Sequence, residues 1–267
     1  MPESVTRQAT SADGSVIGFE VVGEGPPLLV VHGIAADRSQ WGPVAGLLAA
    51  RFSVHLLDRR GRGLSTSEHG EYSLDREGED IVAVVDAIGA PTFVFGHGHG
   101  GLCALKGALL GAGFDRMLID EAPAGMPGPA VMPEVARRMS EALERGSRDD
   151  ALEVFLRAVV GLTDDQISGM RATPVWQTRL GTIHTVTREL DAANGYERES
   201  GRLAELDVPV RFVVGTESPE LMRGAADLLH SDVPGSEFVL VEGRLFTTMH
   251  SDPGAIVREL EQYFLAR

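Results

Sequence analysis

The chain carries a single cysteine, Cys103, among 267 residues, which excludes an internal disulfide, and no Cys/His cluster has zinc-finger spacing. Basic residues are scarce: 24 Lys plus Arg stand against 39 Asp plus Glu, a formal charge of −15. A surface that acidic repels phosphate backbones and anionic headgroups, which argues against nucleic acid and membranes as partners. No apolar run is long enough to span a bilayer, and the polar stretch Met1 to Gly14 has no signal-peptide core, so the expected compartment is cytoplasmic. Internal repeats and low-complexity tracts are also lacking. What is present, 43% apolar and 24% charged residues, is ordinary globular usage, and the length suits one main domain with an insertion.

Val5 to Thr10 and Val16 to Val22 read as two strands around the turn Ala12-Asp13-Gly14-Ser15. Gly23 to Pro27 breaks the chain before Leu28-Leu29-Val30-Val31-His32, an apolar, β-branched run that suits a buried strand. Strand and helix patterns then alternate, which predicts an α/β core of mostly parallel strands with helices on both faces. Further strands are expected at Val54 to Asp58, Thr92 to Gly96, Arg116 to Asp120, Val210 to Gly215 and Glu237 to Glu242. Helices are expected at Gln40 to Ala50, Asp75 to Ile88, Gly100 to Gly111, Pro219 to Leu229 and Gly254 to Leu265. From Pro123 to Leu206 helical patterns such as Pro133 to Arg145 and Asp150 to Val160 follow one another, and the breaker-rich entrance Ala122 to Pro129 suggests a hinge. The implied division is a core of 1–122 and 207–267 with a helical cap of 123–206. Within the core, Glu77-Gly78-Glu79-Asp80 reads as a solvated helix face.

Three segments, in order, resemble the α/β-hydrolase superfamily: Leu28 to Val31 with His32-Gly33, then Asp58-Arg59-Arg60-Gly61-Arg62-Gly63-Leu64-Ser65, then Phe95-Gly96-His97-Gly98-His99-Gly100-Gly101. The resemblance implies the α/β-hydrolase fold, a doubly wound sheet with a helical cap. It also implies a nucleophilic serine on a sharp G-x-S-x-G turn, and alignment of Gly96 and Gly100 with that motif puts Gly98 at the serine position. The family's histidine falls at Phe246, counted from Gly243 or Pro253, and Ser218 falls at the acid, with Glu217 one residue early and Asp120 or Glu121 as acids from an earlier strand. On this alignment the chain lacks the Ser and His of the triad, and ordinary serine-esterase chemistry is not expected.

The family's oxyanion hole uses backbone amides, here those of Ile34 and His99, which survive side-chain replacement. Candidate catalytic groups are His99, beside the vacant position; Asp120 and Glu121, at the sheet edge where α/β folds place their sites; and His184, from the cap. Gly33, Trp41, Gly98, Trp176, Phe246 and His250 are candidate substrate contacts, while His97 fits the family's usual spelling and reads as structural. No metal and no cofactor is expected. The expected function is a non-hydrolytic enzyme acting on a small, largely apolar compound by cyclisation, isomerisation or elimination, in a setting such as specialised metabolism. Two alternatives are a ligand-binding pseudo-hydrolase without catalysis and a hydrolase using an activated water. A second serine or cysteine beside an imidazole in the same hollow would overturn this reading.

Overall fold

A computed structural model describes residues 3–123, 133–196, 199–246 and 248–266. These residues form an eight-stranded sheet in the order β1-β2-β4-β3-β5-β6-β7-β8. β1 (Ser4–Thr10) and β2 (Val16–Val22) make an antiparallel hairpin, turned by Gly14 at φ +85°. β2 runs antiparallel to β4 (Ser53–Leu57), and every later pairing is parallel: β3 (Pro27–Val31), β5 (Thr92–His97), β6 (Phe114–Asp120), β7 (Val210–Gly215) and β8 (Glu237–Val241). This is the α/β-hydrolase fold that the sequence predicts. Register matters more than strand length, because Val31 pairs with Gly96, His97 with Asp120, and Asp120 with Val213. The carboxyl ends of β3, β5, β6 and β7 therefore stop at one edge of the sheet, where an open α/β fold places its chemistry.

Helices α1 (Gly42–Leu48), α2 (Leu74–Ile88) and α3 (His99–Leu109) follow β3, β4 and β5. α1 is shorter than expected: Pro43 sits at its start and a separate 3₁₀ turn, Arg38–Trp41, precedes it. α3 starts one residue earlier than expected, at His99. Between β6 and β7 lie α4 (Pro133–Glu144), α5 (Arg148–Ala158), α6 (Asp164–Arg171), α7 (Pro174–Thr182), α8 (Val186–Asn194) and α9 (Ser200–Leu203). The expected hinge falls largely in 124–132, outside the described residues. α10 (Glu220–Asp232), α11 (Thr248–Ser251) and α12 (Pro253–Phe264) complete the chain. The apolar core splits by layer: Ile81, Leu102 and Met117 pack on one face of the sheet, Trp41, Leu48 and Leu260 on the other, and Met139, Leu152 and Ile183 bind the helices between β6 and β7 to one another.

One expectation fails here. Glu77 and Asp80 are not on a solvated face; each is 1% exposed. The arginines of the turn after β4 reach them: Arg59 Nη2 donates to Glu77 Oε1 at 2.6 Å, and Arg60 binds Asp80 through two bonds of 2.7 Å. Arg59 and Arg62 also pair with Glu189 of α8, so buried charges fasten this helix to the turn after β4. Burial would push the Arg59 pKa down, but its acidic partners outweigh that and hold it above its ordinary value. A buried ion pair resists the loss of one member because the survivor is stranded without water. Glu189→Ala is expected to cost about 3–5 kcal/mol in urea denaturation, and a loss below about 1 kcal/mol, the range of an exposed pair, would show that the fastening is idle.

Candidate active site

Between β5 and α3 the chain reverses within one residue. Gly98 has φ +55° and ψ −128°, a combination costly for any residue with a side chain. Its amide donates to the Asp120 carbonyl at 2.8 Å, and its carbonyl accepts from Gly101 at 2.9 Å. The turn closes only because its neighbours lack side chains: a Cβ on Gly96 would lie 2.7 Å from Gly101 Cα, and one on Gly100 would lie 2.3 Å from Val31 O. At Gly98 itself the nearest atom to such a Cβ would be Cζ of Phe246, at 3.4 Å.

Above this turn lies a cavity whose lining encloses about 740 Å³ of unfilled space, including the part open to solvent. Gly33, Ile34, His97, Gly98, His99 and Phe246 form its floor, and Phe155, Val159, Leu190 and Met222 stand among its apolar walls. Two polar side chains, Gln40 and Arg179, complete the lining and also border a neighbouring groove. Among the described residues the amides of Ile34 and His99 donate to no protein acceptor. His99 begins α3, so its amide is one of the first-turn donors that a helix leaves free.

The imidazoles differ in their surroundings. His97 Nδ1 lies 2.7 Å from Asp120 Oδ2, with Phe246 over the ring at 4.5 Å between centroids and the Trp41 indole edge-on at 5.4 Å. A Cβ on Gly33 would stand 3.6 Å from His97 Cδ2, so the ring edge carrying Nε2 is turned toward the Gly33 loop. His99 Nε2 lies 3.0 Å from the Tyr72 hydroxyl, which also accepts from Arg59. If the hydroxyl donates onward, the His99 proton sits on Nδ1, which has no partner among the described residues. Burial, then the charge of Arg59, pushes the His99 pKa well below its ordinary value and keeps the ring neutral.

Two carboxyls meet beneath the floor. Burial alone would raise the pKa of Asp120, but Arg244 Nη2 at 2.7 Å and the His97 contact outweigh it, and the group lies below the usual carboxylate range. Glu121 follows with φ +53° and accepts from Ser218 Oγ at 2.7 Å and the Gly215 amide at 3.2 Å. Burial, and then the charge on Asp120, push its pKa up to about 8. Ser218 is thus buried against Glu121, while Glu217 is exposed.

Of the candidates drawn from the sequence, Gly33, Ile34, Gly98, His99 and Phe246 meet at the cavity. The others do not line it. Asp120 and Glu121 lie below it, the first acting on His97. Trp41 is core, packed on Phe95 and His97, because its turn faces the sheet. Trp176 is held inside the helical layer by Asp149 at 3.1 Å and by Arg171 over its ring. His184 is exposed, with Nε2 3.2 Å from the Gly61 carbonyl, and His250 borders the neighbouring groove. Cys103 comes within 4.8 Å of His99 and Glu77, a spacing that invites a metal or thiolate reading. Burial raises the thiol pKa, the opposite of an activated nucleophile, and both Glu77 oxygens already accept from Arg59. Reading the sequence missed His97 as the imidazole carrying a carboxylate partner, and Gln40 and Arg179 altogether. The adjacency of β5 and β6 was the available signal for the first; no linear pattern marks the other two.

The model of the Alpha/beta hydrolase family matches residues 28–258. The chain belongs to that family. Among solved structures it is similar to an alpha/beta hydrolase from Sphaerobacter thermophilus, with TM-score 0.83 and 31% identity over 97% of this chain and 100% of that one. An esterase from a Rhodococcus species matches with TM-score 0.78 and 25% identity over 98% of both chains. N-formylmaleamate deformylase of Pseudomonas putida is 32% identical over 56% of this chain and 57% of its own length. Among the described residues no helix is long and apolar enough to cross a membrane.

The buried carboxyl gives a pH signature. Glu121 has its folded pKa raised above the 4.5 of an ordinary glutamate to about 8, so between these values the folded state holds a proton that the unfolded state has released. Stability attributable to this group is then full below about pH 4.5, falls as pH rises toward 8 and levels off above it. Urea midpoints should therefore fall more steeply from pH 5 to pH 8 in the native sequence than in Glu121→Gln, which has no proton to lose. Parallel curves would mean that the carboxyl ionises normally.

Proposed function

We propose that this chain is a divergent member of its family, lacking the serine and histidine of the triad, that binds a small, largely apolar compound and promotes a non-hydrolytic proton transfer. Cyclisation, isomerisation and elimination are the reactions in view. The observation that carries the reading is the floor of the cavity: a glycine stands at the strained turn, an aromatic ring lies over it, and a His97–Asp120 pair and two free amides remain beside it. Asp120 fixes Nδ1 of His97, which leaves Nε2 to take a proton from the ligand. The amides of Ile34 and His99 would hold the negative charge that develops on a ligand oxygen, and His97 would return the proton at a second atom. The apolar walls supply positioning and exclude competing water.

A second reading is favoured by the relatives, which include an esterase and a deformylase. The same His97–Asp120 pair could activate a water, making the chain a hydrolase without a covalent step. Incubating a chemically diverse panel of small esters, enol lactones and polyenes in labelled water, with product masses read at single turnover, separates these. Products isomeric with the substrate, or lighter by an eliminated fragment, with no solvent oxygen, are expected; His97→Gln should slow them by about 10²- to 10⁴-fold. Solvent oxygen in a cleaved product would replace this reading with the second. Tight binding without any product would leave a ligand-binding pseudo-hydrolase.

A further inference from the structure

Arg179, on α7, is 6% exposed, yet among the described residues no carboxylate lies within ion-pair distance of it. The other deeply buried arginines are all answered: Arg59 by Glu77 and Glu189, Arg60 by Asp80 and Asp13, Arg62 by Glu189, Arg244 by Asp120 and Glu259. Among the described residues Arg179 has only the Ala35 carbonyl, which accepts from Nη1 at 3.3 Å, while its buried Nε has no partner there. Burial, with no compensating charge, pushes its pKa down to about 10. Buried charges are normally paired, because removing an ion from water costs several kcal/mol that only a counter-ion recovers. An acidic chain of charge −15 has carboxylates to spare, and among the described residues none has been placed here.

We propose that the missing counter-ion is the ligand's: Arg179 anchors a carboxylate, and the compound that occupies the cavity is a small apolar carboxylic acid. With Nη1 engaged, the side of the guanidinium carrying Nε and Nη2 is the free fork, and two parallel N–H donors match the two oxygens of a carboxylate. Ala35, which fixes Nη1, follows Ile34, so the anchored group sits at the end of the cavity that Ile34 lines. Gln40 Oε1, an acceptor in the same lining that is buried without a partner among the described residues, is available to a hydrogen-bond donor of the ligand. The body of the acid lies along Phe155, Val159, Leu190 and Met222. This inference rests on the proposal that the cavity holds a small molecule and adds the charge that selects it.

The test needs no knowledge of the natural ligand. A panel of aryl- and alkyl-carboxylates, their primary amides and the aryl phosphates of the same skeletons is titrated calorimetrically into the full-length protein, Arg179→Met and Arg179→Lys. Acids should bind the native protein at least about 10-fold more tightly than the matched amides, the lower end expected for a charge-assisted pair. Arg179→Met should abolish that preference while keeping the amides' affinity, and Arg179→Lys should restore part of it. In thermal melts without ligand, Arg179→Met should match or exceed the native protein, because it removes an unpaired buried charge. Equal binding of acids and amides to the native protein would overturn the anchor and leave the cavity's role intact. Preference for the phosphates would overturn the carboxylate assignment. If no acid or amide bound, both the anchor and the proposed function would fall. A marked loss of stability in Arg179→Met would assign the arginine to holding Ala35 instead.

Discussion

Everything at the sheet edge depends on one backbone constraint, the reversal at Gly98. The turn holds an unfavourable φ/ψ pair because β5 is locked between β3 and β6, and because Gly96, Gly100 and Gly101 let the first turn of α3 press against the strands. That compression directs the His99 amide at the cavity and sets His97 over Asp120. None of this requires a side chain at residue 98. The amide donors beside the cavity are set by the main chain and do not depend on which side chains surround them.

A second layer of control comes from buried charge. The arginines after β4 run inward, Arg59 and Arg60 toward carboxylates of α2 and Arg59 and Arg62 toward Glu189 of α8, so a loop motif becomes a junction between sheet, α2 and α8. The same economy of pairing makes Asp120 and Glu121 behave oppositely although they are neighbours. Asp120 has Arg244 and stays ionised; Glu121 has a hydroxyl and an amide and takes up a proton.

The fold was legible because strand patterns such as Leu28 to Val31 and Val210 to Gly215 declare themselves by composition, and because the glycine-rich turn has few structural uses. The sharp turn at Gly98 and the free amides of Ile34 and His99 were equally readable, since both follow from backbone position. Side-chain partnerships were not. Glu77 and Asp80 look solvated in a linear string because Arg59 and Arg60 lie about twenty residues away. His97 passed as a packing residue until β6 brought Asp120 beside it. Trp41 and Trp176 were misplaced for a related reason: an indole fills a pocket wall and a core equally well, and only the direction of its helix decides.

The way α8 is fastened bears on traffic into the site. Lifting that helix from the sheet would expose Arg59, Arg62 and Glu189 together and strand them mid-transit, a steep toll for a thermal fluctuation. Small rotations at the seam between the hollow and its neighbouring groove, where Gln40 and Arg179 stand in both, meet no such obstacle. The enclosure is therefore stiff where ions clasp it and pliant where two side chains form a shared wall.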